Sequence, residues 1–244
     1  MRLKHYIQDE IINESINDKG ILHACFMAGM SGSGKSYVIS KISDGAIQPK
    51  IINTDKMVEF LKAFKNTDWP NIADKVKIST KKQLVLYLNS LLPLWVDGTS
   101  SNPSAVMKRN GILKSVGYDT SLIWIDTSLE QAIQRAKSRH EEGGREVIEI
   151  EIRKMYKELQ GLKSYYASDF QNFTEILNDE DELIDQTILS AYKKMRSFFN
   201  SPLKNPIGIK NVNKLKKSGG KYLIDLPKYN MGYLNKLVNN WYIW

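Results

Sequence analysis

The sequence predicts an α/β fold: a doubly wound, mostly parallel sheet of about five strands in a three-layer sandwich, with a small basic appendage at its carboxyl end. Three observations carry this. Short apolar runs alternate with helix-length amphipathic segments over residues 21–199. A glycine-rich loop, GMSGSGKS at Gly29–Ser36, stands between one such run and a helical pattern. Aspartates close the second and third runs, at Asp55 and Asp97. A parallel sheet gathers its ligand groups beyond such strand ends.

The elements follow in chain order. Residues 3–17 read as a polar, moderately amphipathic helix, and 21–28 as a buried first strand. The glycine loop and its helix run to about Ser43. A second strand covers 49–55, followed by a helix, KMVEFLKAF. The segment WPNIADKVKIST reads as a loop or short helix, because proline and polar residues interrupt its pattern. KKQLVLYLNSL is a separate helix. The third strand, PLWVDGT, spans 93–99 and is followed by a helix that Gly117 stops. The fourth strand is 119–126. The next helix runs into EEGG, and 147–166 reads as one further helix. NFTEIL at 172–177 is the fifth strand. The helix after it starts with acids and carries Lys and Arg toward its end, matching its dipole.

The loop has the spacing G-x-x-x-x-G-K-[ST] in the context that pattern requires, strand before and helix after. Its glycines admit φ > 0, so successive N–H groups can curl around an anion. Lys35 brings a full charge to the β- and γ-phosphates, and the Ser36 hydroxyl can coordinate Mg2+. The candidate nucleotide-binding residues are Gly29, Ser31, Gly32, Ser33, Gly34, Lys35, Ser36 and Tyr37. The expected cofactors are ATP and Mg2+.

Composition narrows the class. The single cysteine, Cys25, lies in the first strand and reads as a small core residue rather than a nucleophile. No disulfide can form within the chain, which suits a reduced, cytoplasmic setting. His5, His23 and His140 are scattered and form no zinc pattern. No signal-peptide pattern opens the chain, and no apolar run approaches the length of a membrane span.

Asp97 occupies the position of a second Mg2+-organising carboxylate; an aspartate opening a turn at Asp97-Gly98 is the plainer alternative. Asp55 can accept the proton of an attacking hydroxyl, or simply cap the helix that starts there. Thr99, like Ser36, Asp55 and Asp97, follows a predicted strand end or first helix turn, so these residues should converge. Arg135 and Arg139 stand four apart on one helix face, and Arg145 follows the EEGG loop. Arginines on a flap at about 139–147 can clamp a transferring phosphoryl group, while a solvated face paired with Glu141 and Glu142 is the structural alternative. The guanine-reading N-K-x-D is absent, and Asp97-Gly98 stands where an AAA+ or helicase motor would usually place an acidic pair. A basic flap after the fourth strand favours a small kinase, which must exclude water.

These residues resemble the zeta-toxin and polynucleotide-kinase branch of P-loop kinases over about residues 22–178. The matching stretches are GMSGSGKS, IINTD, VDGTS and GYDTSLIWIDTSLEQAIQRAKSRHEEGGREV. The chain also resembles kinase-like ATPases of large tailed phages, which would put it in a host cytoplasm. The resemblance implies a P-loop NTPase fold of kinase type. It implies ATP and Mg2+ at Lys35 and Ser36, and Asp55 as general base. Asp97 and Thr99 would then face substrate or metal, and Arg135, Arg139 and Arg145 the lid. Zeta-type proteins have Glu-Gly-Thr where Asp97-Gly98-Thr99 stands, and the arginine that commonly follows the base aspartate is replaced here by Lys56 and Val58.

Residues 202–244 stand apart from the kinase-like part, 1–201. They hold eight lysines against one acid, Asp225, so most of the chain's net charge of +8 lies here. Lysines mixed with Tyr222, Tyr229, Tyr233, Trp241, Tyr242 and Trp244 suit nucleic acid, an anionic membrane surface, or a docked module with a solvated lysine face and contact to a protein partner. The expected activity is ATP-dependent phosphoryl transfer to a hydroxyl-bearing acceptor. The alternatives are a non-catalytic or slow ATP-binding switch or ATPase whose basic tail binds nucleic acid or a protein partner, and a nucleoside monophosphate kinase.

Overall fold

A computed structural model describes residues 19–43, 48–54, 57–58, 69–141, 148–179, 181–217 and 231–241. The expected helix at 3–17, Asp55, residues 142–144 of the EEGG loop and Arg145 lie outside them. Five strands form one sheet: β1 (His23–Ala28), β2 (Lys50–Ile52), β3 (Leu94–Val96), β4 (Asp119–Asp126) and β5 (Asn172–Leu177). Their order is β2-β3-β1-β4-β5, and every pairing is parallel. The α/β class and the parallel sheet expected from the sequence are therefore correct. Among the described residues nine helices surround the sheet: α1 (Lys35–Ile42), α2 (Trp69–Asn89), α3 (Pro103–Ser115), α4 (Leu129–Glu141), α5 (Glu149–Leu159), α6 (Leu162–Asp169), α7 (Asp181–Asn200), α8 (Pro206–Lys217) and α9 (Met231–Asn239).

β1 is central, and all six of its residues are buried. Its side chains alternate between two cores, as the two-residue period of a strand dictates. Ala24, Phe26 and Ala28 join Leu94, Val96, Leu122 and Trp124 on one face. Cys25 and Met27 join Trp95, Ile123 and Ile125 on the other, beneath α1 and α7. With both faces covered, β1, β3 and the middle of β4 are buried throughout, while β5 at the sheet edge alternates between buried and exposed residues. Burial raises the Cys25 thiol to about 12, with its sulfur 3.6 Å from Ser121 Oγ, so it is an inert core group.

Two helical assignments from the sequence need correction. The loop-or-short-helix segment at 69–80 and the helix after it are one continuous helix, α2. Pro70 falls in the first turn, where a missing N–H interrupts no helical bond, so it does not break the element. Conversely, the single helix expected over 147–166 is two, α5 and α6, parted at Gly161, whose φ is +79°. A residue in the left-handed region ends a helix.

α8 lacked a clear signal in the sequence. Asn205 caps it, accepting from Ile207 N at 2.9 Å, and Pro206 stands first in the helix. The same asparagine donates to Lys114 O at 2.8 Å and to Tyr118 O at 3.1 Å. Asp119 accepts from Lys204 N at 2.7 Å and Asn205 N at 2.9 Å. α9 packs against α2. Val212, Leu215, Leu234, Val238 and Trp241 belong to the same core as Phe26 and Leu94. Trp241 also stacks under Arg109, 5.7 Å from its ring centre, so at least this aromatic serves packing. No helix among the described residues is long and apolar enough to cross a membrane.

The turn at Gly117 and the start of α8 touch backbone to backbone. A Cβ on Gly208 would lie 2.2 Å from Gly117 O. Gly208→Ala should therefore lower stability by about 1–3 kcal/mol. Gly111→Ala is the control: its Cβ meets nothing within 4 Å, and in mid-helix it should gain roughly 0.5–1 kcal/mol. Urea titrations of the two variants read opposite signs.

His23 is buried beside Phe198, 5.0 Å between ring centres, and burial lowers its pKa below 6.5. The unfolded chain then takes up the proton first, so stability falls as pH drops below 6.5. In His23→Gln the fall in Tm between pH 7.5 and 5.5 should be smaller than in the native chain.

Candidate functional site

The loop after β1 is shaped by what cannot be there. Gly32 and Gly34 have φ of +83° and +87°. A Cβ on Gly32 would lie 2.2 Å from Ala132 O, and one on Gly34 2.3 Å from Asn178 Nδ2. A third glycine, Gly29, would put a Cβ 2.7 Å from Ile125 O. Only glycine lets the backbone lie this close to β4, α4 and the loop after β5. Gly34 is also the residue before α1, and no side chain caps that helix. The first N–H groups of a helix have no partner within it, so an anion in the loop would meet donors and the positive end of a helix dipole.

Lys35 Nζ donates to Gly29 O and Met30 O, both at 2.7 Å, and so lies across the mouth of its own loop. Ser36 is exposed in the first turn of α1. Ser31 and Gly32 are half-buried. Ser33 is fully buried, and its Oγ has no hydrogen-bond partner among the described residues. Tyr37 is 46% exposed, with Lys41 Nζ 5.5 Å from its ring centre, so its ring faces outward rather than into the loop.

β3 pairs directly with β1, so the residues after β3 come beside the loop. Asp97 N donates to Ile52 O at 3.0 Å. Asp97 Oδ2 accepts from Asn53 Nδ2 at 2.5 Å, which ties the ends of β2 and β3. Thr99 O accepts from Gly29 N at 3.2 Å, and Thr99 Oγ1 lies 3.4 Å from Ser101 Oγ. Ser100 sits at φ +58°, an unusual place for a residue with a side chain. Two bonds hold it there: Ser100 Oγ donates to Met27 O at 2.9 Å, and Tyr166 OH donates to Ser100 O at 2.7 Å. Burial pushes the Tyr166 hydroxyl well above its ordinary value, so it stays a donor at any working pH. Beside it, burial lowers Arg109 to about 10.

The far wall is the loop after β5. Asn178 is buried and acts as a strut. Its N donates to Asp126 O at 2.8 Å and its Nδ2 to Ser33 O at 2.6 Å. Its own carbonyl accepts from Arg135 Nη1 at 2.7 Å. Thr127 Oγ1 adds a bond to Ser33 O at 3.3 Å. Asp126, at the end of β4, pairs with Lys163 at 2.9 Å, and the same lysine also holds Glu175.

The structure thus brings together the glycine loop, Lys35, Ser36, Asp97 and Thr99. Arg135 reaches the same end of the sheet, but it braces the loop after β5 instead of standing on a flap. Arg139 is exposed on α4, one turn further from the loop. Sequence reasoning missed Asn53, Ser100, Thr127, Tyr166 and Asn178. For four of them the available signal was position alone, since each follows a strand at the carboxyl edge; Tyr166 had none.

The donor set fits a nucleotide phosphate: a glycine loop whose backbone is pressed against β4, α4 and Asn178, helix N–H groups that no side chain caps, and one lysine. It also fits Mg2+, which keeps most of its waters and needs one or two carboxylates beside the phosphates. Among the described residues no group of three His, Cys, Asp or Glu could hold an ion by itself.

Comparison with solved structures finds the same fold. A candidate kinase from Chloroflexus aurantiacus superposes with a TM-score of 0.53 at 12% identity, covering 73% of this chain and 98% of its own. A chain of the PezAT chromosomal toxin–antitoxin system of Streptococcus pneumoniae gives 0.51 at 16% identity, covering 81% and 96%. None of the curated proteins compared matches the chain. The family model described as AAA domain, AAA_33, matches residues 25–162, more than half of the chain and all of the loop, β3, β4 and α4 just described. The chain belongs to this AAA-domain family and has a P-loop kinase-like fold, with the glycine loop inside the matched stretch.

Proposed function

We propose that the chain is an ATP- and Mg2+-dependent phosphotransferase acting on a hydroxyl of a nucleotide, a nucleotide-sugar or a nucleic-acid 5′ end. The observation that carries this reading is the direct pairing of β1 with β3, which sets Asp97 and Thr99 beside the glycine loop and Lys35. The likeness of fold to the PezAT chain agrees with the resemblance to zeta-type kinases.

In this reading the loop's N–H groups and Lys35 orient the phosphates. Ser36 and Asp97 would hold Mg2+, which would supply positive charge to the phosphates. The acceptor oxygen bonds to the γ-phosphorus, the bridging bond to the β-phosphate breaks, and ADP leaves. Asp55 takes the acceptor proton. Thr99 orients the acceptor. Arg139 and Arg145 approach the transferring group, while Arg135 holds Asn178 and through it the loop.

The deciding experiment is transfer of label from γ-labelled ATP, with Mg2+, to a panel of 5′-hydroxyl oligonucleotides, nucleosides, nucleoside monophosphates and UDP-sugars. A labelled product that Lys35→Ala fails to make establishes the kinase and its acceptor class. Free phosphate alone favours an ATPase, and nucleotide binding with neither product favours a switch. Asp55→Asn should keep ATP binding and slow turnover by a factor on the order of 10². A merely mild loss would favour a nucleoside monophosphate kinase, whose acceptor needs no base. Asn178→Ala should weaken ATP binding roughly fivefold, the scale of one lost hydrogen bond behind the loop, in a fluorescent-nucleotide titration.

A further inference from the structure

The opposite edge of the sheet carries a second feature that the phosphate site does not use. A groove of about 860 Å³ opens at the amino ends of β4 and β5, walled by the carboxyl half of α7 and the start of α8. Its rim includes Lys114, Lys194 and Lys204. Its lining offers hydroxyl and amide groups, among them Asn172 and Ser197, and the half-buried ring of Phe173. Among the described residues the one carboxylate lining it, Asp119, is occupied by the backbone N–H groups of Lys204 and Asn205.

The charge around this groove is one-sided. Residues 186–217 contain eight lysines and arginines and no acid. All eight are exposed, and among the described residues none is held in an ion pair. Lys210, Lys214 and Lys217 fall on one face of α8, continuing the cationic rim beyond the groove. A solvated face on a folded domain usually mixes both signs. A stripe of one sign beside a groove that exposes a ring is the composition that single-stranded nucleic acid meets: cations along the backbone and an aromatic face for a base. The volume matches a ligand of a few nucleotides at most, so a duplex could touch only the rim.

We propose that this groove, with the exposed face of α8, binds single-stranded nucleic acid. The site is separate from the phosphate loop. β4 runs between the two over eight residues, about 25 Å. The proposal therefore stands whether or not the chain proves to be a kinase.

The test is fluorescence anisotropy of the full chain with a labelled 20-mer of thymidine at 50 and 200 mM salt. Affinity should fall steeply between the two. Lys194→Gln/Lys204→Gln should weaken binding roughly tenfold and reduce the salt slope by about 0.7 per lysine removed. Phe173→Ala, checked for an unchanged melt, should weaken binding roughly fivefold or more. Lys35→Ala should bind as the native chain does. The proposal is overturned if the 20-mer does not bind at 50 mM salt, or if the double variant binds like the native chain. It is equally overturned if Lys35→Ala abolishes binding, which would place the strand at the phosphate loop. Tighter binding to a duplex of the same length, or binding to phosphatidylserine vesicles without binding to the 20-mer, would replace it with a different partner.

Discussion

A methyl group on Gly32 would have to share space with the carbonyl of Ala132, and one on Gly34 with the side-chain amide of Asn178. That lack of room is the constraint on which the carboxyl edge of the sheet depends. It lets the loop lie flat against α4 and the loop after β5, a backbone shape in which N–H groups not bonded within the loop can serve an anion. The polar contacts behind the loop then fix its shape. Asn178 and Thr127 hold Ser33 O, while Thr99 O holds Gly29 N. Each bond is worth only about 1 kcal/mol net. Together they define where a phosphate could sit before one arrives, which is what preorganised electrostatics requires.

The same edge shows how packing at a distance reaches the site. Trp241, beyond α9, packs on Arg109 of α3. Tyr166 of α6 lies beside that arginine and donates to Ser100 O, holding the left-handed residue next to Thr99. The carboxyl-terminal helices therefore belong to the support of the β3 loop as well as to the core. Arg135 plays a comparable part on the other side. A guanidinium that reads as a flap residue from its spacing in fact satisfies a backbone carbonyl, because Asn178 O is left without a strand partner where β5 ends.

Charge is divided between the two edges of the sheet. At the carboxyl edge the aspartates Asp97 and Asp126 face polar or cationic partners, Asn53 and Lys163. At the amino edge cations predominate, and Asp119, which lines the groove, is spent on two backbone N–H groups. The α7–α8 corner is thus both structurally fixed and electrostatically positive. A corner of this kind keeps its field on a rigid frame, where a flexible basic tail would spread it.

The sequence by itself determined the sheet and the loop. Strands at 119–126 and 172–177 were legible to the residue, the first because a strand buried on both faces is a bounded apolar run, the second because Phe173, Thr174 and Ile176 form a short β-prone run between polar residues. The glycine loop was legible because its spacing and its strand–helix context are local. The appendage was legible only as basic and aromatic; that Trp241 joins the main core required the fold. Local sequence also misjudged α2 and the break at Gly161, where the outcome depends on whether a proline falls in a first turn or a glycine adopts φ > 0. What only the tertiary structure decided are the pairings between residues far apart in the chain: Asn53 with Asp97, Ser33 with Asn178, Ser100 with Tyr166, Gly117 with Gly208. Hydrogen bonds and backbone contacts of this kind leave no periodicity in a single sequence, since each partner is set by the strand order and not by its neighbours in the chain.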